Sequence, residues 1–518
     1  MNDIPYLRRN DKNGPSLYFP VEEEFRDLAR EHNLITVSRM VSADTETPVT
    51  AYMKLGGHRY SFLLESAEGG ERWGRYSFIG CEPQAVIRYR GGLLDFPYGE
   101  GTERENVDPV DFLFRTMGEF KSCGYSEGLP FCGGAVGYLA YDLLPFMDNI
   151  ELHAQGGLGL PEMMFMLTRT SAAFDHLLGR MILMANVHVP EGATDMELKA
   201  LYLQAIQSIE SMADDLAGNL PSKSPPDIYF LSEEADFQGA SSNFTREEYE
   251  EMVRKAQEYI YAGEVFQVVP SQRFSFPLRC PPFSIYRTLR SENPSPYMFF
   301  LRFDDLALIG SSPEPMVRQR NGTAVIRPIA GTRPRGGTPQ EDQALEEELL
   351  RDVKERAEHI MLVDLARNDL GRVCQAGSVR VSRMMEVERF SHVMHLVSEV
   401  EGKLRPGFGN GDLLRSSFPA GTVSGAPKIR ACQLIDELEK DRRGPYAGAI
   451  GYISYSGDMD TCIAIRTVIA HEGMAHVQAG GGVVADSDPS REYEETLNKA
   501  RALLRAVRLA EAKEGVRL

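Results

Sequence analysis

The chain has 518 residues, of which 42% are apolar and 25% are charged, and its formal net charge at pH 7 is −19. This length predicts several domains or one large composite core, and the composition is that of an ordinary globular protein. The acidic balance argues against a nucleic-acid partner, because phosphate binding needs a basic surface.

The N-terminal segment MNDIPYLRRNDKNG is polar and does not resemble a signal peptide, and no uninterrupted apolar run reaches membrane-spanning length. We therefore expect a cytoplasmic protein with no membrane partner. The 7 cysteines are scattered and form no CxxC pair. This pattern predicts free thiols rather than a zinc site or a disulfide framework.

The first part of the chain, residues 1–215, is predicted to be a mixed α/β N-terminal region. Its segment AVIRYRGGLLDF (85–96) is typical of two short strands joined at Gly91-Gly92. Residues 216–242 are rich in Pro, Ser and acidic side chains, which indicates a surface linker. The remaining residues, 243–518, are predicted to form a second region.

This second region is predicted to begin with a helix. Thr245 and Glu248 have the spacing of a capping box, and Gly263 stands where a helix would end. The next segment, VFQVVPSQRFSF, is predicted to be one strand with Gln267 and Ser271 on the same face.

Further along, long helices are predicted at about 341–366 and 489–511, and Asp488 is predicted to cap the second of them. The segments GAIGYISYSG, CIAIRTVIAHEG and MAHVQAGGGVV are predicted to be successive antiparallel strands with glycine-containing turns. The fold class that follows is α+β, with large antiparallel sheets packed together and covered by helices.

Two of the helical segments carry pairs of acidic residues spaced three apart, Glu355 with Glu358 and Glu492 with Glu495. One carboxylate from each helix could bind a hard divalent cation such as Mg²⁺, which prefers oxygen ligands and keeps several waters. The same spacing is also typical of a solvated helix face. The spacing alone leaves both interpretations open.

Eight segments of the second region, in this order along the chain, resemble the chorismate-utilising enzymes. They are GSSPEPMVR (310–318), RPIAGTRPRG (327–336), ERAEHIMLVDLARNDLG (355–371), FSHVMHLVSEVEG (390–402), FPAGTVSGAPKIRA (418–431), RRGPYAGAIGY (442–452), DTCIAIRTV (460–468) and VQAGGGVV (477–484). The resemblance covers roughly residues 245–510 and implies that 243–518 is a chorismate-binding catalytic domain. Members of the family make anthranilate, aminodeoxychorismate, isochorismate or salicylate from chorismate.

Three features favour the anthranilate-forming members. Gln267 occupies the place where water-adding relatives have a lysine base, and Gln cannot take up a proton. Ala330 occupies the place where aminodeoxychorismate synthases often have a nucleophilic lysine. LLES (63–66) and NPSPYMFF (293–300) resemble the two walls of the tryptophan site of anthranilate synthase large subunits.

The resemblance therefore implies a lyase that converts chorismate and ammonia to anthranilate and pyruvate, the first step of tryptophan biosynthesis. It also implies a catalytic role for Glu314, His395, Thr422 and Gln267. Glu314 matches the general acid, for which burial would have to raise its pKa. His395 would assist the elimination, and Thr422 would contact the substrate ring. Outside the family context, a lone His in an apolar run is usually a core residue.

The same resemblance implies further residues for the substrate and the metal. Substrate-binding residues would be Gly331, Thr332, Tyr446, Arg466, Gly480, Gly481 and Gly482. Glu358 and Glu495 match ligands of Mg²⁺, with Glu355 and Glu492 acting through bound water. Taken alone, Arg466 in an alternating strand would be a solvated residue, and the triple glycine would be a turn.

L-Tryptophan is the inhibitor that the resemblance implies. Its site would contain Glu65, Ser66, Pro296, Tyr297 and Met298. Ammonia would come from a separate glutamine amidotransferase subunit, because no Gly-x-Cys-x-Gly motif is present. The family pattern implies a heterotetramer of two large and two small subunits.

Three other functions stay open at this point. The chain could be an aminodeoxychorismate synthase, or an enzyme of secondary metabolism that aminates chorismate without releasing pyruvate. It could also be a catalytically inactive subunit that binds tryptophan. The complete set of acidic residues, together with His395 and Arg466, argues against the last of these.

Overall fold

The fold is taken from a computed structural model, which describes residues 16–66, 74–97, 104–123, 128–220, 237–390 and 393–515. The α-helices of these residues are α1 Glu22–Leu28, α2 Pro48–Leu55, α3 Pro109–Gly118, α4 Leu144–Met147, α5 Asp195–Ala217, α6 Arg246–Tyr261, α7 Pro282–Glu292, α8 Pro339–Arg351, α9 Val353–Val373, α10 Asn410–Ser417, α11 Lys428–Leu438 and α12 Pro489–Lys513.

The β-strands of the same residues are β1 Tyr18–Phe19, β2 Leu34–Ser42, β3 Tyr60–Glu65, β4 Tyr76–Cys81, β5 Ala85–Arg90, β6 Leu93–Asp95, β7 Arg104–Glu105, β8 Gly134–Leu139, β9 Met163–Leu167, β10 Thr170–Asp175, β11 Arg180–His188, β12 Ser241–Ser242, β13 Gln267–Val268, β14 Ser271–Pro277, β15 Tyr297–Phe303, β16 Leu306–Ser312, β17 Pro315–Arg320, β18 Thr323–Ile326, β19 Ile329–Pro334, β20 Arg380–Arg389, β21 Val393–Lys403, β22 Gly425–Ala426, β23 Ala449–Ser454, β24 Met459–Ile463, β25 Thr467–His471 and β26 Met474–Gly480.

The strands form two large antiparallel sheets. The order in the first sheet is β1-β2-β11-β10-β4-β3-β15-β16-β25-β26-β14-β12. The order in the second sheet is β19-β21-β18-β17-β24-β23-β8-β9-β5-β6-β7, and β20 pairs with β21. Strands β13 and β22 pair separately. The predicted fold class, large antiparallel sheets covered by helices, is confirmed.

The two sheets pack face to face, and helices cover their outer faces. Strand β15 shows why, because its sequence YMFFLRF is apolar on both sides. Phe299 and Leu301 belong to the core between the sheets, whereas Met298 and Phe300 pack in the core beneath the helices. A strand buried on both faces needs such a continuous apolar run. The helices α5, α7 and α12 cover the first sheet, and α9 and α10 cover the second.

Residues 1–215 and 243–518 contribute strands to both sheets. Strand β3 pairs with β15 in the first sheet, and β8 pairs with β23 in the second. The cores are therefore shared between the two parts of the chain. Most of the predicted linker, residues 221–236, lies outside the described residues, and the domain division stays a prediction.

Several local predictions agree with the structure. The Thr245–Glu248 capping box begins α6, and Asp488 caps α12 through the backbone N–H of Arg491. Strands β5 and β6 form the predicted hairpin, with positive φ at Gly91 and Gly92. Among the described helices, none combines the length and apolar character that crossing a bilayer requires.

Three predicted elements are interrupted in the structure. The strand predicted across VFQVVPSQRFSF breaks before Ser271, because Pro270 has no N–H to donate to a ladder, and β13 and β14 lie in different sheets. The helix predicted at 341–366 breaks at Asp352, whose side chain caps α9. Strands β24 and β25 also lie in different sheets, and the chain turns between them at Arg466, where φ is 50°.

Candidate active site

Strand β19 contains Gly331 and Thr332, and it pairs with β21, the strand that carries His395. A β-bulge interrupts its pairing with β21 at Gly331, where φ is 72°. The Gly331 carbonyl accepts a hydrogen bond from Nδ1 of His395 at 3.0 Å, and Thr332 Oγ1 lies 3.1 Å from the same nitrogen. Because a carbonyl can only accept, the Nδ1 atom carries the proton. Burial lowers the pKa of His395 and favours the neutral ring, whose Nε2 is then an acceptor.

Glu314 is the buried carboxyl group of the site. It lies between β16 and β17, is 6% exposed, and accepts a hydrogen bond from Thr422 Oγ1 at 2.8 Å. Burial raises the pKa of Glu314 to about 8, although the Thr422 hydrogen bond and the backbone of Ile329 act in the opposite direction. The carboxyl group is therefore protonated at neutral pH, which is the state a general acid needs.

The acid pairs of α9 and α12 lie close enough for charges on one helix to affect the other. Burial raises the pKa of Glu358, and the negative charges of Glu355 and Glu495 raise it further. Burial also raises the pKa of Glu492, with a further contribution from Glu495. The two helices thus bring their acid pairs into one region of negative charge, as the metal hypothesis requires.

The acidic residues of α9 and α12 suit a cation, but they do not by themselves form a complete set of metal ligands. Across the residues that the structure describes, no three His, Cys, Asp or Glu side chains already surround one point as metal ligands would. However, Oε2 of Glu492 is buried and accepts no hydrogen bond from any described residue. A divalent cation would offset the charge of these carboxylates, and water and substrate oxygens would supply its other ligands.

Glycine is required at each of the three positions Gly480–Gly482, at the end of β26, because neighbouring atoms leave no room for a side chain. A Cβ atom on Gly480 would lie 2.7 Å from the Pro270 carbonyl oxygen, and one on Gly481 would lie 2.8 Å from Glu492 Oε2. A Cβ atom on Gly482 would lie 2.8 Å from Nε2 of Gln267. The glycines therefore allow the backbone to approach the acidic residues and Gln267 closely, which is more than a turn at a strand end requires.

We expect Gly480→Ala to destabilise the protein by about 1–3 kcal/mol, because the added methyl group meets a backbone carbonyl. Thermal unfolding measures this cost. Gly371→Ala is the control, since its helical position has nothing within 4 Å of the new Cβ atom. That change should stabilise the helix by about 0.5–1 kcal/mol. Equal unfolding temperatures for the two variants would contradict this prediction.

Arg466 lies near Tyr446, a buried residue whose hydroxyl would be 3.1 Å from a Cβ atom on Gly480. Arg466 is half-buried rather than fully solvated, and its Nη1 donates to the Lys499 carbonyl at 2.9 Å. It occupies a left-handed conformation that is costly for a non-glycine residue. Burial raises the pKa of Tyr446 to about 12, so the hydroxyl stays neutral. In the described part of the chain Arg466 makes no ion pair, which leaves its charge for an anionic ligand.

The five residues of the predicted tryptophan site line a single cavity of about 610 Å³. The cavity lies between the sheets, with Pro296, Tyr297 and Met298 on one side and Arg318 and Asp460 on the other. The Tyr297 hydroxyl donates to Asp460 Oδ1 at 3.0 Å, which links the two sheets.

The first-sheet side of this cavity also carries the LLES residues. Arg290 donates to both oxygens of Glu65, at 2.9 and 3.2 Å. The Ser66 hydroxyl is buried and has no hydrogen-bond partner among the residues that the structure describes. An unpaired buried hydroxyl group inside a cavity is what a site for a polar ligand would offer.

Comparison with known proteins identifies the family of this chain. The model of the chorismate binding enzyme family matches residues 60–505. This chain belongs to that family. The anthranilate synthase component 1 of Aquifex aeolicus is 46% identical over 492 residues, which are 94% of this chain and 98% of the relative. The protein of the same name from Acetivibrio thermocellus is 44% identical over 492 residues, 95% of this chain and 99% of the relative.

Solved structures of the family share the fold. The crystal structure of anthranilate synthase component I from Streptococcus pneumoniae superposes with a TM-score of 0.73 at 38% identity, covering 90% of this chain and 99% of that one. The menaquinone-specific isochorismate synthase of Escherichia coli has a TM-score of 0.66 at 19% identity, covering 94% and 98%. The second likeness concerns the fold alone.

Two basic residues of this family member were missed by the sequence analysis. Lys499 binds Glu495 at 2.7 Å and donates to the Gly480 carbonyl at 2.8 Å, so it joins α12 to the glycine segment. Its position four residues after Glu495 was a signal that could have revealed it. Arg443 is buried beside Tyr446, and only its place in the RRGPY segment distinguishes it in the sequence.

Proposed function

We propose that this protein is the chorismate-aminating component of an anthranilate synthase, which converts chorismate and ammonia to anthranilate and pyruvate. The observation that carries the proposal is Glu314, a buried carboxyl group that is protonated at neutral pH and held by Thr422. A hydroxide ion is a poor leaving group, and Glu314 can protonate the C4 hydroxyl of chorismate as that group departs.

Ammonia is the nucleophile that this site suits. Gln267, whose amide lies against Gly482, cannot act as a base, and water would need one to become nucleophilic. Ammonia arrives with a free lone pair and adds at C2 without such a base. Ala330 likewise excludes a covalent lysine intermediate at its position.

After the addition, the C2 proton and pyruvate must leave to give the aromatic ring. His395 is the group we assign to this step, because the Gly331 hydrogen bond orients its ring with Nε2 free to accept a proton. Arg466 would bind the enolpyruvyl carboxylate through its fork of N–H groups, with the neutral hydroxyl of Tyr446 beside it. The segment of Gly331 and Thr332 would line the ring.

Mg²⁺ is the cofactor we propose, held by Glu358 and Glu495 directly and by Glu355 and Glu492 through water. When bound, it would neutralise the ring carboxylate of the substrate. The unpaired oxygen of Glu492 and the raised pKa values of Glu358 and Glu492 support this assignment. Backbone N–H groups at Gly480–Gly482 could approach the same carboxylate.

The ammonia would come from a glutamine amidotransferase component, in an assembly of two large and two small subunits. The designation "component 1" of the relatives supports a second component. We place the enzyme in the cytoplasm, since its cysteines, Cys81 and Cys462 among them, are free thiols that suit a reducing compartment.

A product assay tests the proposed function. Purified protein is supplied with chorismate, Mg²⁺ and an ammonium salt, and anthranilate fluorescence and pyruvate are followed together. Equal amounts of the two products are the expected result. A product that becomes aromatic only after a separate lyase is added would show an aminodeoxychorismate synthase instead, and amination without pyruvate would also refute the proposal.

We further propose that L-tryptophan binds the cavity between the sheets and inhibits the enzyme. Two strands that line the cavity lie next to Glu314, the proposed catalytic acid. Strand β17 carries Arg318 and follows Glu314 in the chain, and Ile463 at the end of β24 donates its N–H to the Glu314 carbonyl at 3.1 Å. A ligand between the sheets can inhibit by favouring a state in which these strands are displaced.

Ser66→Ala should weaken inhibition by tryptophan roughly 3- to 10-fold, the loss expected for one neutral hydrogen bond. It should not lower the unfolding temperature, because no group in the described part of the chain is hydrogen-bonded to this hydroxyl. Ser171→Ala is a matched control, since its hydroxyl on β10 is also buried without a partner among the described residues but does not line the cavity. Inhibition that is unchanged in Ser66→Ala, or equally weakened in both variants, would exclude this binding site.

A further inference from the structure

Arg443 is a buried guanidinium that the catalytic steps above do not use. It is 2% exposed and pairs with Glu439, a carboxylate four residues earlier that is 7% exposed. Its Nε lies 3.0 Å from one Glu439 oxygen, and its Nη2 lies 2.6 Å from the other. Such a desolvated pair is costly unless further hydrogen bonds satisfy the remaining N–H groups.

The remaining N–H groups of Arg443 reach two distant segments of backbone. Nη1 donates to the Val423 carbonyl at 2.8 Å, and Nη2 donates to the Val269 carbonyl at 2.6 Å. Val423 follows Thr422, whose hydroxyl holds Glu314. Val269 lies two residues after Gln267. Arg443 therefore contacts both the segment of Thr422, which holds Glu314, and the segment of Gln267.

A third segment joins this network through the partner carboxylate. Glu439 accepts hydrogen bonds from the Ser271 N–H at 2.8 Å and from its hydroxyl at 2.9 Å. The Ser271 hydroxyl in turn accepts from Gln478, which lies two residues before Gly480 on β26. The guanidinium also lies over the Tyr446 ring, 5.5 Å from its centroid.

We infer that Arg443 is a positioning residue for the amination of chorismate, which keeps the segments of Thr422, Gln267 and Gly480 in their relative places. The inference rests on the proposed function. Arg suits this role because its N–H groups point in fixed, planar directions, whereas the ammonium group of Lys is a point charge on a flexible stem. Arg443→Lys therefore keeps the positive charge but loses the planar arrangement of N–H donors.

The experiment compares the full-length wild type with Arg443→Lys in the ammonia-dependent assay across pH. We expect kcat to fall about 100-fold, as for a displacement of catalytic groups by about 1 Å. The decline of kcat at alkaline pH should also begin at a higher pH than in the wild type. The reason is that the Thr422 hydrogen bond lowers the pKa of Glu314, and a looser Val423 segment weakens that bond.

Arg508→Lys is the matched control. Arg508 and Glu511 form another buried ion pair, at 2.8 Å, on α12. The pair lies about 20 Å along the helix from Glu495. The Arg508→Lys variant should have a lower unfolding temperature, but its kcat and the pH at which kcat declines on the alkaline side should be unchanged. An Arg443→Lys enzyme that behaves like Arg508→Lys overturns the inference, while a wild type that forms no anthranilate overturns the proposed function instead.

Ser271→Ala provides a second test that keeps the Arg443–Glu439 pair intact. It removes the hydroxyl that connects Glu439 to Gln478, so kcat should fall about fivefold. The decline of kcat at alkaline pH should begin where it does in the wild type, because the Val423 side of the network is untouched. If Arg443→Lys does not fold, a wild-type kcat in Ser271→Ala is the result that overturns the inference.

Discussion

Replacing Glu314 by Gln is expected to lower kcat by about 10³-fold, since a neutral amide keeps the shape of the side chain but has no acidic proton to give to the departing hydroxyl. The effect should be on kcat more than on KM. Steady-state rates of anthranilate release with saturating ammonium measure it. Glu511→Gln changes a fully buried carboxylate outside the site and should leave kcat unchanged.

The pH dependence of kcat provides a second test of the role of Glu314 as the general acid. Because burial raises the pKa of Glu314 to about 8, the proton is present below that pH and is lost as the pH rises through it. The wild-type kcat should therefore decline above about pH 8, tenfold per unit, and this decline should be absent from Glu314→Gln. A variant that retains the wild-type alkaline decline would show that another group is the acid.

Glu358→Gln is expected to reduce turnover by at least 100-fold, because one of the two proposed direct ligands of the cation is lost and the ring carboxylate is no longer neutralised. Without Mg²⁺ the variant should unfold at a higher temperature than the wild type, since the change removes one of several mutually repelling carboxylates. With Mg²⁺ the wild type should gain stability and the variant should not.

Asp364→Asn on the same helix is the control for the metal prediction. Asp364 is exposed and pairs with Arg367 one turn away. Its replacement should preserve both turnover and the Mg²⁺-dependent rise in unfolding temperature. A Glu358→Gln enzyme that keeps that rise would exclude α9 from the metal site, whatever its activity.

Much of the local structure and chemistry follows from the sequence alone. The capping residues Thr245 and Asp488 mark the starts of α6 and α12 because their side chains bond N–H groups only three residues away. The absence of lysine at Gln267 and Ala330 excludes two chemistries, since residue type alone decides whether a base or nucleophile exists there. The acid pairs of α9 and α12 share a helix face through the helical repeat.

Other features depend on contacts between residues far apart in the chain, and only the tertiary structure decided them. Glu314 is protonated at neutral pH because the tertiary packing buries it, and Thr422, which donates a hydrogen bond to it, lies 108 residues later. Arg466 is half-buried because the chain changes sheets there, although the strand pattern predicted a solvated residue. Arg443 joins segments that no periodicity relates. Burial and long-range hydrogen bonds set these properties, and a local pattern contains no information about them.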